Sequence, residues 1–215
     1  MTLVTEAEQE QIRMAVQRAE RGTNGEIVPM IVPASALYRE AGYRMGLILA
    51  LLSLALLLTI ETYWLPWGWH GGNAGWLLLA VVVAYGLGQW FGRRTAIIRF
   101  VTSRERLAHK VALRAEQAFY KHGLHRTQGH TGILIFVSLL EQRVQILVDT
   151  GINEHVPPGT WDGLVAGIVE GIKTGHAVDA LCAAIDQCGA LLARVSPAGS
   201  CDNPNELPDR AIQEP

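Results

Sequence analysis

His122, His125 and His130 cluster in a short stretch of this 215-residue chain, and Asp149, Asn153 and Glu154 follow at the end of a β-like segment. Carboxylate and amide oxygens are hard ligands suited to Ca²⁺ or Mg²⁺, and Glu26, at the start of another β-like segment, adds a further oxygen donor. Imidazoles titrate near neutrality, so His125 and His130 are acid–base candidates, with Asp149 as the carboxylate member, or ligands for a softer metal. As motifs these residues are incomplete. The histidine spacing of three and then five matches no fixed metal signature, no paired cysteine motif is present, and the loop after Asp149 lacks the dense carboxylates of an EF-hand. The competing reading is structural: these are solvated strand ends, with Asp149 and Asn153 serving a turn.

Other chemistries lack their parts. Thr23-Asn24-Gly25 precedes a strand instead of following one, so there is no glycine-rich phosphate loop; no Gly-x-Ser-x-Gly elbow exists, and Ser138 falls inside a strand. Trp161 at a helix start reads as a core anchor. A formal charge of −2 supplies no basic stripe for nucleic acid. Cys182 and Cys188, six apart on one expected helix, are too far apart to bridge, and with Cys201 they fit a reducing compartment.

The elements that must position these residues follow from pattern. Thr5 and Glu8 have capping-box spacing ahead of a helix to about Arg21, with Ile12, Ala15, Val16 and Ala19 on one face. Glu26 to Val32 is a strand, and Pro29, which has no N–H, points to an edge position or a bulge. Thr102 and Glu105 repeat the capping-box spacing before a helical stripe of Leu107, Val111, Ala115, Ala118 and Phe119. Gly132 to Leu140 reads as a strand buried on both faces, and Arg143 to Asp149 as one with a single buried face. Two amphipathic helices follow, one between Pro157-Pro158 and Gly175, the other through Leu181, Ile185 and Leu192. The expectation is an α/β layered sandwich with a small central mixed β-sheet flanked by helices. If the first two strands are parallel and joined by a right-handed crossover, their starts share one end of the sheet. Glu26, His130, Asp149 and the loop Thr150 to Glu154 should gather there, with His125 and Arg126 close by, while the opposite end feeds the chain into the segment described next.

Between Arg44 and Arg93 the chain carries two stretches almost free of charge, Met45 to Ile60 and Gly71 to Gly92, joined by Glu61 to His70. A bilayer core needs about 20 helical residues. The second stretch meets that length, and the first does so if it extends through Leu65. Five of the six tryptophans fall in this hairpin, where an interfacial belt would sit. Arginines flank it, at Arg39, Arg44, Arg93, Arg94, Arg99, Arg104 and Arg106, and the connecting loop has no Lys or Arg, which predicts two spans in the plasma (inner) membrane with both termini cytoplasmic. Thr2 to Arg21 has no apolar core of a signal peptide, so the hairpin itself should direct insertion. Gly86, Gly88 and Gly92, with Gly42 and Gly46, offer small surfaces for close helix packing or reflect ordinary glycine tolerance in membrane helices. The expected organisation is residues 1–40 and 94–195 as two parts of one domain, 41–93 as the transmembrane helical hairpin, and 196–215 as a flexible polar tail.

Thr23-Asn24-Gly25-Glu26-Ile27-Val28, then Thr131-Gly132-Ile133-Leu134-Ile135-Phe136-Val137 with a hairpin into Val144 to Gly151, and Val156-Pro157 leading into a helix, together resemble the TPM domain. The resemblance spans about Thr5 to Val195 and implies a compact α/β fold used at membranes, in photosystem repair factors, accessory subunits of ion channels and bacterial proteins of unsettled role. It also implies, for some members, acid-phosphatase activity and calcium binding. Two departures stand out: the hairpin interrupts the domain after its first strand, and the domain is expected in the cytoplasm where many relatives are exported. The leading expectation is a membrane-anchored accessory protein whose cytoplasmic domain binds or regulates a membrane-protein partner in assembly or quality control. The alternative is a divalent-metal-dependent phosphatase or related hydrolase.

Overall fold

The computed structural model describes residues 4–64, 73–127, 130–157, 159–197 and 207–214. In chain order the elements are α1 (Glu6–Glu20), β1 (Glu26–Val32), α2 (Arg39–Trp64), α3 (Asn73–Phe91), α4 (Thr95–Val101), α5 (Arg104–Lys121), a 3-10 turn (Leu124–Arg126), β2 (Gly132–Ser138), β3 (Arg143–Val148), α6 (Thr150–Asn153), α7 (Thr160–Thr174), α8 (Ala177–Val195) and β4 (Ile212–Gln213). They divide into two units, Met1–Ala36 with Ala108–Pro215, and Leu37–Leu107.

The first unit is built on a mixed sheet of order β3-β2-β1-β4. β1 and β2 run parallel from Glu26↔Gly132 to Val32↔Ser138, and β2 and β3 run antiparallel. Side chains alternate across a strand, so each central strand feeds two cores. Ile27, Ile31, Ile133, Ile135 and Val137 pack with Ile12 and Val16 of α1, Leu164 and Ile168 of α7, and Leu181, Ile185 and Leu192 of α8. Val28, Met30, Val32, Leu134 and Phe136 pack on the other face with Val111, Ala115, Ala118 and Phe119 of α5, and with Leu124. Every residue of β1 and β2 is buried, which is what the uninterrupted run Ile133 to Val137 predicts. Each Val, Ile, Leu, Met or Phe side chain among them contributes about 1.5–3 kcal/mol of transfer free energy. The α/β fold with a small mixed sheet between helices is therefore as expected.

Three local expectations are corrected. β1 is not an edge strand: β4 adds to it in parallel, with Met30 opposite Ile212 and Ile31 opposite Gln213. Pro29 is accommodated because β4 meets β1 only beyond it, so no ladder donor is missed. The chain end read as a featureless polar tail supplies that strand. Finally, Ser103 caps α5, its Oγ accepting from the Arg106 N–H at 3.4 Å, whereas Thr102 closes a separate short helix, α4, that periodicity did not announce. By contrast, α1 starts at Thr5 with both bonds of its capping box in place.

In the second unit α2 and α3 pack together antiparallel, as the opposed positions show. A Cβ on Gly88 would lie 2.6 Å from the Gly46 Cα, and one on Gly92 would lie 2.7 Å from the Gly42 Cα. Those four glycines thus bring two backbones into contact, while Gly86 faces open space. Arg39–Ile60 is long and apolar enough to cross a membrane, with 11% of its apolar window buried; the stretch through α3 and α4 qualifies only as a pair bent by 102°. The connection between α2 and α3, including most of Glu61 to His70, lies outside the described residues.

Because β2 borrows one neighbour from residues on the far side of the second unit, a fragment beginning at Ser103 lacks both α1 and β1. It should leave Ile133, Ile135 and the β2 edge open and aggregate on refolding. A monomeric fragment with a cooperative unfolding transition would contradict this dependence.

Candidate functional site

The sheet end marked by Glu26 gathers the residues expected there. Glu26 is in register with Gly132, whose carbonyl accepts the Asp149 N–H at 3.0 Å, so β1, β2 and the end of β3 line up in one row. Glycine is required at 132, because a Cβ would come within 2.7 Å of the Leu124 carbonyl oxygen. His130, at φ 54°, turns the chain into β2 and places its Nδ1 3.2 Å from Asp149 Oδ2. Asp149 Oδ1 accepts from the Thr150 N–H at 2.7 Å and from the Thr150 hydroxyl at 3.3 Å. Asp149 is thereby the N-cap of α6.

The other candidates lie near this end but do not join the Asp149–His130 contact. Asn153 and Glu154 are exposed, joined to the cap by backbone bonds from Asn153 to Asp149 and from Glu154 to Thr150. His125 lies in the 3-10 turn with its ring 5.2 Å from that of Tyr120, its Nδ1 buried with no hydrogen-bond partner among the described residues. His122 contacts Glu214, well along the chain, and belongs to the docking of β4.

Among the described residues these donors do not converge on one point. Both Asp149 oxygens are already taken by protein donors, and among the described residues no group of three or more His, Cys, Asp or Glu side chains is placed to hold a metal. Nor is it a nucleophilic triad. In such a triad the imidazole stands between hydroxyl and carboxylate, whereas here Asp149 stands between Thr150 and His130. What the arrangement does physically is fix the strand-to-helix turn: the carboxylate satisfies an orphan N–H of α6 and tethers the loop that enters β2.

Two features were not legible in sequence. Glu20, at the end of α1, accepts the Ile27 N–H at 2.8 Å. Burial pushes its carboxyl up to about 8, with Glu26 and Asp209 nearby adding to the rise and the Ile27 bond opposing it. An acid that stays protonated at neutral pH is the kind of group found in active sites, yet this one is spent on a backbone bond. Nothing in the local sequence around Glu20 announces its desolvation. At the opposite end of the sheet, a cavity of about 370 Å³ opens beside Ile31, Val137 and Leu139, the carboxyl ends of the parallel strands. Sheets of this type commonly bind ligands at that end. Its rim carboxylates are committed, however: Glu8 to the Thr5 cap and Asp179 to Gln11 at 3.1 Å. Deeper at this end, Ser138 donates to Glu141, which accepts from the Ser35 N–H at 2.9 Å.

A family model, the TPM domain, matches residues 91–191. The match contains the Thr131 to Gly151 and Val156-Pro157 segments on which the resemblance rested, and the Thr23 to Val28 segment precedes it. The chain is similar in fold to the NMR structure of the BA42 protein from the psychrophilic bacterium Bizionia argentinensis, with a TM-score of 0.60 and 19% identity. That likeness covers 99% of this chain and 97% of the other. No curated protein matches the sequence.

Asn in place of Asp149 keeps a capping acceptor. Asp149→Asn should therefore change stability by less than ~1 kcal/mol, and Ca²⁺ or Mg²⁺ should leave the thermal midpoint of both proteins unmoved. A cation-dependent rise present in the unaltered chain and lost in the variant would restore the metal reading. For Glu20 the sign is definite. Between the ordinary value of 4.5 and about 8 the folded chain holds a proton that the unfolded chain has released. The contribution of Glu20 is then fully present below pH 4.5 and is lost as pH rises through that window, by up to ~1.4 kcal/mol per unit. Glu20→Gln, which retains an acceptor for Ile27, should flatten that slope when denaturant midpoints are compared at pH 5 and pH 8.

Proposed function

We propose that this chain, whose residues 91–191 carry the TPM domain, is a membrane-anchored binding module: a two-span helical hairpin holding a cytoplasmic α/β domain that docks onto or regulates a membrane-protein partner. The observation that carries the anchoring is the outward face of α2 and α3. Leu47, Leu51, Leu52, Leu56, Leu78, Leu79 and Val82 are exposed along two apolar helices, and hydrocarbon is the solvent that such a surface suits. A core helix of a water-soluble domain would bury those leucines. The end of α3 adds an interfacial signature, Trp90 under the Arg94 guanidinium at 5.2 Å, followed by the sharp turn into α4, whose Phe100 is 92% exposed beside Arg99. Orientation follows from the flanking arginines, which favour the cytoplasm for both termini in the plasma (inner) membrane.

Binding is preferred to catalysis because Asp149, the central carboxylate at the sheet end, is engaged in capping α6. A role in assembly or quality control of membrane proteins suits a domain tethered close to the bilayer. The hydrolase alternative is supported by the exposed His130 ring beside Asp149, a pair able to relay a proton.

In intact cells, a membrane-impermeant thiol reagent should label an Asn73→Cys variant and miss Cys201; labelling of Cys201 from outside would reverse the orientation. Cross-linking from the α/β domain in the native membrane should then yield a specific membrane-protein neighbour. Turnover of an aryl phosphate by the full chain, abolished in His130→Ala, with no such neighbour, would favour the hydrolase.

A further inference from the structure

The way residues 207–214 are held resembles recognition of a ligand more than completion of a sheet. β4 pairs with only Met30 and Ile31 of the seven residues in β1. Its remaining hold comes mainly from side chains, with Ala211 buried in the core formed with α1, α7 and α8. Ile212 and Leu207 pack on the core formed with α5, and Glu214, two residues after Ile212 and so on the same face of the strand, reaches a basic cage on α5. There its carboxylate meets Arg114 Nη2 at 2.9 Å, Lys121 Nζ at 2.5 Å and His122 Nε2 at 3.2 Å. The Lys121 bond, reinforced by His122 and Arg114, holds that carboxyl below the ordinary range. From the other side Gln9 Nε2 donates to the Ala211 carbonyl at 3.1 Å and Gln17 Nε2 to Asp209 Oδ2 at 2.8 Å. A short ladder, an apolar socket and a cationic clamp for one carboxylate are the parts of a site that reads an extended peptide by strand addition.

We propose that the surface beside β1 and α5 on which residues 207–214 lie is a peptide-binding groove, occupied in the free chain by those residues. Its partner ligand is an extended protein segment bearing an apolar residue two positions ahead of a carboxylate, which displaces the chain's own copy. The identity of the cage decides the chemistry: three nitrogen donors around one site select an acidic side chain, and the Ile212 socket selects an aliphatic one. The inference rests on the partner-binding reading above and gives that partner its chemical class. Occupation in cis would hold binding in check, since a tethered ligand competes at a high effective concentration.

The test uses the full chain in detergent micelles and a fluorescent peptide, Leu-Pro-Asp-Arg-Ala-Ile-Gln-Glu, the sequence of residues 207–214. Glu214→Arg sets a cation against Arg114 and Lys121 and should release the chain's own segment, seen as faster amide exchange at residues 211–214. This variant should bind the peptide at least about tenfold more tightly than the unaltered chain does, measured by anisotropy. Adding Arg114→Ala, or replacing the final Glu of the peptide with Ala, should reverse the gain by about tenfold. The proposal is overturned if the folded Glu214→Arg chain fails to bind, or binds the Ala peptide equally well. It is overturned too if Glu214→Arg abolishes cooperative unfolding, because the segment would then be an obligatory strand. Peptide binding without a cross-linked membrane neighbour removes the partner reading and leaves the groove, whereas the opposite pair of results removes only the groove.

Discussion

The parallel pairing of β1 with β2 is the constraint on which the rest of this molecule depends. Its register sets Glu26 beside Gly132 and, through the Gly132 carbonyl, Asp149 beside both. It gives each strand two buried faces, and so calls for helices on both sides: α1, α7 and α8 on one, α5 on the other. Parallel neighbours need a crossover, and here the crossover contains an entire second unit. The α2–α3 pair is thus inserted where a shorter chain would place a simple connection. That location costs little in closure entropy, since the penalty grows only with the logarithm of loop length.

The polar residues at the Glu26 end illustrate how the same side chains serve structure when their partners are counted. Asp149 accepts from Thr150 and faces His130; the Glu20 carboxyl is pushed up because burial outweighs its bond to the Ile27 N–H. The other end of the sheet is similarly self-contained, with Ser35, Ser138 and Glu141 tying the exit of β1 to the β2–β3 turn. Buried polar groups of this kind fix a single geometry because each would be costly to strand without its partner.

The sequence made the central layers legible for a physical reason. A run such as Ile133-Leu134-Ile135-Phe136-Val137 has few homes other than a doubly buried strand, and the Thr5–Glu8 capping box is a local bond that local spacing reveals. The gathering of Glu26, His130 and Asp149 followed from topology alone. What stayed hidden depends on contacts distant in sequence. Ile212 and Gln213 form a strand only because β1 offers an edge beyond Pro29 and α5 offers a cage for Glu214, neither of which is encoded near residue 212. Thr102 and Glu105 carried a capping-box spacing, yet Thr102 closes α4 and the cap of α5 is Ser103. The raised pKa of Glu20 is a property of its surroundings, invisible until the helix is docked.

The distance in sequence between Glu26 and Gly132 also sets a timetable for the chain as it is made. β1 leaves the ribosome about a hundred residues ahead of its partner. At about 5–20 residues per second it waits roughly 5–20 s with Ile27, Val28, Met30, Ile31 and Val32 uncovered. During that interval the leucine-rich α2 and α3 emerge as well, so the nascent chain holds an unpaired apolar strand and two unhoused apolar helices at once. The order of synthesis therefore leaves β1 and both apolar helices uncovered together, and their protection falls to whatever factor meets the chain first.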